Sequence, residues 1–198
     1  MHVHLPSHPR LRHLTVSCLA LFLLATTADA DDWPQWRGPT RLGVWTETGI
    51  VDQFPDTGLQ VAWRVPIRAG FAGPVVAGGQ VFVLDYQETP GTRTMDGAER
   101  LLCLDEETGE LLWTQEWPAT YRNIHITFAT GPRATPSVDG NRVYVVGAAG
   151  MILSFDIATG AVVWQVDTVA EYGTTVPVYG VSSSPLVDGN RLIVVVGG

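Results

Sequence analysis

Lysine is absent from this 198-residue chain: all twelve basic residues are arginine, set against 20 aspartates and glutamates for a formal net charge of −8. A nucleic-acid surface needs clustered cations to neutralise phosphates, so no nucleic-acid partner is expected. Cysteine is almost missing too, with Cys18 and Cys103 alone. Histidine is scarce and gathered at one end, at positions 2, 4, 8 and 13, with His125 isolated far downstream. Long apolar runs are also lacking: the longest, residues 14–25, falls well short of the roughly 20 residues that a helix needs to cross a hydrocarbon core, so no membrane span is expected. What remains is a chain 45% hydrophobic and 16% charged, which can bury a core, with 21 glycines and 13 prolines for many tight turns.

The amino terminus reads as an export signal over residues 1–30. Arg10 and Arg12 form a positive start, residues 14–25 an apolar stretch, and Ala28-Asp29-Ala30 the small residues of a cleavage site, with cleavage expected after Ala30. A lipid-accepting cysteine should close the apolar stretch, and Cys18 lies early within it, so simple export to the periplasm or exterior is the favoured reading. Removal of that signal leaves one cysteine and one histidine. No intrachain disulfide and no multi-histidine or two-cysteine metal site is then available, and packing alone must stabilise the fold.

Internal repeats organise the rest. AGPVVAGGQVFVLD (72–85), ATPSVDGNRVYVVG (134–147) and SSPLVDGNRLIVVVG (183–197) each read as a short strand, a Gly-Gly or Asp-Gly-Asn turn and a β-branched strand. CLDEETGELLWTQEW (103–117) and SFDIATGAVVWQVD (154–167) are again strand, turn, strand. Each unit thus holds four strands, A to D. Asp105 to Asp156 and Trp113 to Trp164 are both 51 residues apart, a period that signals propeller blades or another stacked repeat. Between strands B and C of the first unit, residues 86–99 are expected to form a polar, exposed and mobile loop, where the second unit has only residues 147–150.

CLDEETGELLW resembles the AxDxxTGxxxW tryptophan-docking repeat of quinoprotein-type propellers, matching at Asp105, Thr108, Gly109 and Trp113. SFDIATGAVVW matches at Asp156, Thr159, Gly160 and Trp164, with Ser154 in the alanine slot, and FPDTGLQVAW ending at Trp63 is a degraded copy. DWPQWRGP (32–39) followed by Gly43-Val44 is similar to the opening of secreted PQQ-like repeat proteins related to the outer-membrane assembly lipoprotein BamB. The resemblance implies an all-β fold, a partial β-propeller of four-stranded antiparallel blades: residues 31–58 a terminal segment packed on the propeller, residues 59–198 about three to four blades of a seven- or eight-bladed ring. The chain stops within strand B of its third unit, so an amino-terminal portion of a longer propeller is expected, with residues 192–196 an exposed β-branched run and an aggregation hazard.

The docking residues themselves read as structural. An indole laid on the next blade buries on the order of 200 Å², the aspartates organise their turns, and the glycines supply unusual φ; Trp113 and Trp164 are both expected at the ends of D strands and well buried. Two functions compete. One is a non-catalytic scaffold that presents loops and a channel rim to a protein or small-molecule partner, with no cofactor in this part of the protein. The other, implied by resemblance to PQQ-dependent alcohol or sugar dehydrogenases, needs PQQ and calcium in the axial channel, a carboxylate base and often a vicinal cysteine pair, none of which stands out here. Catalytic residues are not assignable. Strand A lines the channel, so the channel-facing candidates precede the A strands: Arg133, whose planar fork suits an anion, His125 and Ser183. Each also has a structural reading, an ion pair, a satisfied histidine or close packing. Trp33, Trp36 and Trp45 are expected to pin the terminal segment.

Overall fold

The computed structural model describes residues 30–91, 95–125 and 130–197; the expected export signal lies outside them except for Ala30. Ten strands and one helix occur among the described residues: β1 (Val75–Ala77), β2 (Gln80–Glu88), β3 (Asp96–Asp105), β4 (Leu111–Thr120), β5 (Ser137–Asp139), β6 (Arg142–Val146), β7 (Met151–Asp156), β8 (Val162–Asp167), α1 (Thr168–Tyr172), β9 (Leu186–Asp188) and β10 (Arg191–Ile193). Sheet order follows sequence order. Strands β1 to β4 form one four-stranded antiparallel sheet, β5 to β8 a second, and β9 pairs with β10. This is an all-β partial propeller of two complete blades and a further A–B hairpin. No described helix is long and apolar enough to cross a membrane.

Turn chemistry sets these hairpins. Two residues separate each A strand from its B strand, and Gly140 and Gly189 sit at φ +55° and +59°, where a side chain would be strained. Strand β2 is buried on both faces, which explains its unbroken apolar run. Phe82 and Leu84 join Val143, Val145, Leu153 and Phe155 between the sheets, while Val81 and Val83 pack toward Trp63 and Val65 on the other side. Cys103, in β3, is fully buried in the inter-sheet core, and burial pushes its thiol up to about 12.

The loop expected over residues 86–99 is mostly strand. β2 and β3 remain paired out to Glu88 and Gly97, Tyr86 and Glu99 are buried, and only residues 89–95 connect the strands. The turn-forming residues of that stretch, Thr89, Pro90 and Gly91, do mark a turn, and Gln87 and Glu88 beside it are exposed, but Glu99 is buried.

Both blades carry a register shift at the same place. Cys103 faces Trp113 while Leu104 faces Leu111, and Ser154 faces Trp164 while Phe155 faces Val162, so one extra residue in each D strand re-aims the adjacent indole. Trp113 is therefore the third residue of its strand, not the last. Its ring lies where any side chain on Gly160 would stand, and its Nε1 donates to Ile157 O at 2.9 Å. Trp63 repeats this on Gly109, donating to Glu106 O at 2.8 Å. The turns that receive them are built alike: Asp105 accepts from the Thr108 amide and hydroxyl at 2.8 and 2.7 Å, and Asp156 from those of Thr159 at 3.1 and 2.9 Å. Trp164 corrects the expectation of burial. It is 38% exposed and packs on Tyr144, because none of the described residues brings an equivalent turn against it.

The terminal segment crosses the inner edges of the sheets. Trp33 exchanges backbone hydrogen bonds with Val76 of β1, Pro34 O accepts from Val138 N of β5, and Arg41 reaches Pro185 O. Farther on, Ile50, Val51, Phe54, Leu59 and Val61 are each at least 60% exposed. The run 192–196 is not uniformly exposed: Val194 and Val196 pack near Ala134, Val146 and Val181, whereas Ile193 and Val195 face outward. Strand alternation divides it between two faces.

Candidate functional site

Three segments converge just before the A strands, each ending in a small residue and a proline: Gly73-Pro74, Thr135-Pro136 and Ser184-Pro185. Proline at the threshold of a strand needs no amide partner, and the residue before it is held extended. These segments are stitched laterally. Gly73 N donates to Thr135 Oγ1 at 3.2 Å, Thr135 N donates to Ser184 Oγ at 3.0 Å, and the buried Ser137 hydroxyl donates to Pro185 O at 2.6 Å. One blade's backbone thus satisfies the next blade's hydroxyl at the inner rim.

Against this rim lies a cavity of about 420 Å³. Phe71, Arg133, Thr135 and residues 182–184 come from the convergent segments, and Trp36 and Arg41 from the terminal segment. Arg133 is half-buried, donates to Gly131 O at 2.9 Å and His125 O at 3.4 Å, and places its guanidinium 5.7 Å from the Phe71 ring centroid. Arg41 donates to Gln35 Oε1 at 3.3 Å and Pro185 O at 3.4 Å. Both guanidinium groups stand at the cavity wall, and the Arg133 charge also acts on the Glu99 carboxyl.

Of the three channel-facing candidates, Arg133 and Ser183 come together in this cavity and His125 does not. Ser183 Oγ also accepts from Val195 N at 3.3 Å, a structural task. The His125 ring is exposed and lies 5.4 Å from Tyr179, and it is the residue's backbone carbonyl that meets Arg133. Arg41, Phe71 and Thr135 carry no expectation from the sequence, and Trp36, expected to pin the terminal segment, also lines the cavity. A signal for Thr135 was available in the register of Pro74, Pro136 and Pro185; none existed for Arg41, whose partner Pro185 is 144 residues away.

A second polar centre lies between the two blades. Glu99 is fully buried and accepts three hydrogen bonds: from Trp117 Nε1 at 2.9 Å, Tyr121 OH at 2.5 Å and Ala148 N at 2.8 Å. Burial raises its carboxyl above the usual glutamate range against the opposing pull of these donors and of Arg133. Tyr121, itself buried, is pushed up by desolvation and by the adjoining carboxylate. Gly147 must be glycine for space, since a Cβ there would overlap Glu99 Oε2.

Neither centre groups the carboxylates that a calcium ion takes. Among the described residues no three His, Cys, Asp or Glu side chains stand close enough to hold a metal ion, whereas calcium takes carboxylate and carbonyl oxygens. The rim instead offers guanidinium and hydroxyl donors, a set suited to an anion.

Comparison with solved structures places the fold among propellers. The quinohemoprotein alcohol dehydrogenase of Comamonas testosteroni is 20% identical over 82% of this chain and 23% of its own, with a TM-score of 0.54. A europium-containing methanol dehydrogenase is 16% identical over 68% of this chain and 22% of its own, with a TM-score of 0.50. BamB from Moraxella catarrhalis is 23% identical over 66% of this chain and 32% of its own, with a TM-score of 0.43. The chain therefore spans between about a fifth and a third of the length of these structures. No curated protein matches it in sequence. The family described as outer membrane protein assembly factor BamB matches residues 47–198, most of the chain and both complete blades, and the chain belongs to that PQQ-like repeat family.

Proposed function

We propose that this chain is part of an exported, non-catalytic binding module, and that its inner rim takes a carboxylate-bearing segment of a protein partner. The observation that carries this reading is the composition of the rim cavity. Two guanidinium groups, the hydroxyls of Thr135 and residues 182–184, and the rings of Trp36 and Phe71 line it, without a carboxylate, cysteine or histidine among the described residues. Such a wall binds and orients an anion but supplies no base to activate a nucleophile or accept a substrate proton. Arg133 is steadied by two carbonyls and the Phe71 face, and a side chain ordered beforehand loses less entropy on binding. The family's description as an assembly factor supports a protein partner. Export is supported by the charged start, apolar stretch and small-residue site of residues 1–30.

Calorimetric titration of the full chain with a peptide ending in a free carboxylate, and with its amide, tests the reading. The acid is expected to bind and the amide to bind at least about tenfold more weakly, the cost of one charge-assisted pair. Arg133→Ala should abolish that preference and Arg133→Lys restore it in part. Equal affinities would overturn the site. Saturable oxidation of an alcohol in the presence of PQQ, Ca²⁺ and an artificial electron acceptor would overturn the non-catalytic assignment and favour the dehydrogenase.

A further inference from the structure

A different cavity, of about 400 Å³, opens between the terminal segment and blade one. Trp33 and Trp45, 6.3 Å apart, wall it together with Pro74 and Val76. Among the described residues its charged lining is entirely acidic, Asp31, Asp32, Glu47 and Glu106, with no cationic side chain. Two of these carboxylates already hold backbone amides. Asp32 accepts from Gly78 N at 3.1 and 3.3 Å, and Glu47 Oε1 accepts from Asp31 N at 2.6 Å. That last donor is the nitrogen of the peptide bond between Ala30 and Asp31, the bond that follows the small-residue site Ala28-Asp29-Ala30. Ala30 and Asp31 are both exposed.

We propose that hydrolysis between Ala30 and Asp31 completes this site by supplying its cation: the new α-ammonium of Asp31 pairs with Glu47 and fastens the terminal segment onto blade one. The step consumes one water, with a signal peptidase as catalyst, and leaves a carboxylate on Ala30 and an amine on Asp31 that is protonated at neutral pH. The donor to the Glu47 carboxylate changes from a neutral amide to an ammonium, which makes the bond an ion pair in a setting of four carboxylates and two aromatic rings. Processing and fastening are thereby coupled. Trp33, two residues on, already pairs with β1, so the ammonium secures the end of the chain that crosses the blades. The inference rests on the export part of the reading above and is independent of the rim cavity.

The chain's lack of lysine makes the test selective, because amine-directed chemistry then reaches only the α-amino group. The full chain is expressed with its own amino terminus in an exporting bacterium, and the intact mass of the product is expected to begin at Asp31. Reductive methylation with ¹³C-formaldehyde labels that amine while keeping its charge, and NMR follows its titration. The expected midpoint lies roughly half a pH unit or more above the value near 8 of an ordinary α-amino group, because the facing carboxylates favour the charged form. Glu47→Gln should lower the midpoint, and acetylation, which removes the charge, should hasten proteolysis within residues 46–62. A product beginning elsewhere would overturn the processing site. A product beginning at Asp31 whose midpoint is the same in Glu47→Gln would overturn the ion pair and leave export standing.

Discussion

At one end of the interface between the two blades, the Trp113 indole covers Gly160 and donates a single hydrogen bond to Ile157 O; at the other, the Glu99 carboxylate takes three donors from both blades in a site closed to water. The indole is half-buried and relies mainly on area. Glu99 is fully buried and relies on complete satisfaction of a group that is costly to desolvate. Area degrades gracefully when trimmed, whereas a polar network that loses one member leaves the others unpaired. Loss of the carboxylate should therefore harm the interface more than loss of the ring.

Glu99→Ala breaks the comparison most severely. It leaves the Trp117 and Tyr121 donors and the Ala148 amide without their acceptor, and is expected to cost about 3 kcal/mol or more, read by urea unfolding. Glu99→Gln should cost less, because one oxygen remains. Trp113→Ala is expected to cost about 2 to 3 kcal/mol, below the range for a fully buried ring. Trp164→Ala, at the corresponding position of blade two but 38% exposed, should cost under about 1 kcal/mol. Equal losses for the two tryptophans would mean that the joint at Gly160 contributes nothing beyond what a strand residue does.

Ser154 sharpens the contrast from the other direction. Its hydroxyl is buried without a partner among the described residues, in the slot where the repeat pattern has alanine. Ser154→Ala is expected to stabilise the protein by up to about 1 kcal/mol, because it removes an unsatisfied polar atom with little change of shape. A destabilisation would show that the hydroxyl has a partner in solution.

The smallest effects concern pH, and the two kinds of carboxylate run in opposite directions. The hydroxyl of Thr159 holds the Asp156 carboxyl below its usual range, so its contribution is present above about pH 4, the unfolded value, and is lost as pH falls through the folded one. Burial raises the Glu99 carboxyl, so the contribution of its protonated form is complete below about pH 4 and declines as pH rises through the folded value. Unfolding of Asp156→Asn and Glu99→Gln across this range should show wild-type advantages of opposite slope. Parallel slopes would contradict the assigned environments.

The same contrast explains what the sequence disclosed. Hairpins at Gly78-Gly79, Gly140-Asn141 and Gly189-Asn190 were legible because the turn residues carry their own conformational signal, and the propeller because its units recur. Glu99 was hidden because it does not recur: counting 51 residues onward reaches Gly150, in the short turn of blade two. It also lay in a stretch whose Thr, Pro and Gly read as a loop, though β2 and β3 continue around it. Half of the rim cavity was visible, in Arg133 and Ser183. Arg41 was not, because folding alone brings the terminal segment to Pro185, and Trp36 was read as pinning that segment rather than as lining a cavity. His125 was misplaced for a related reason: chain position put it near Arg133, but its ring turns away toward Tyr179.

The central claim, that the inner rim is where a carboxylate-bearing partner binds, is tested most directly by hydrogen–deuterium exchange of the full chain with and without the free-acid peptide. The account predicts slowed exchange in residues 71–73, 133–135 and 182–184, the three segments that meet at the cavity, and no such protection in Arg133→Ala. Protection confined to the exposed segment 48–62, or to the β8 face around Trp164, would contradict it.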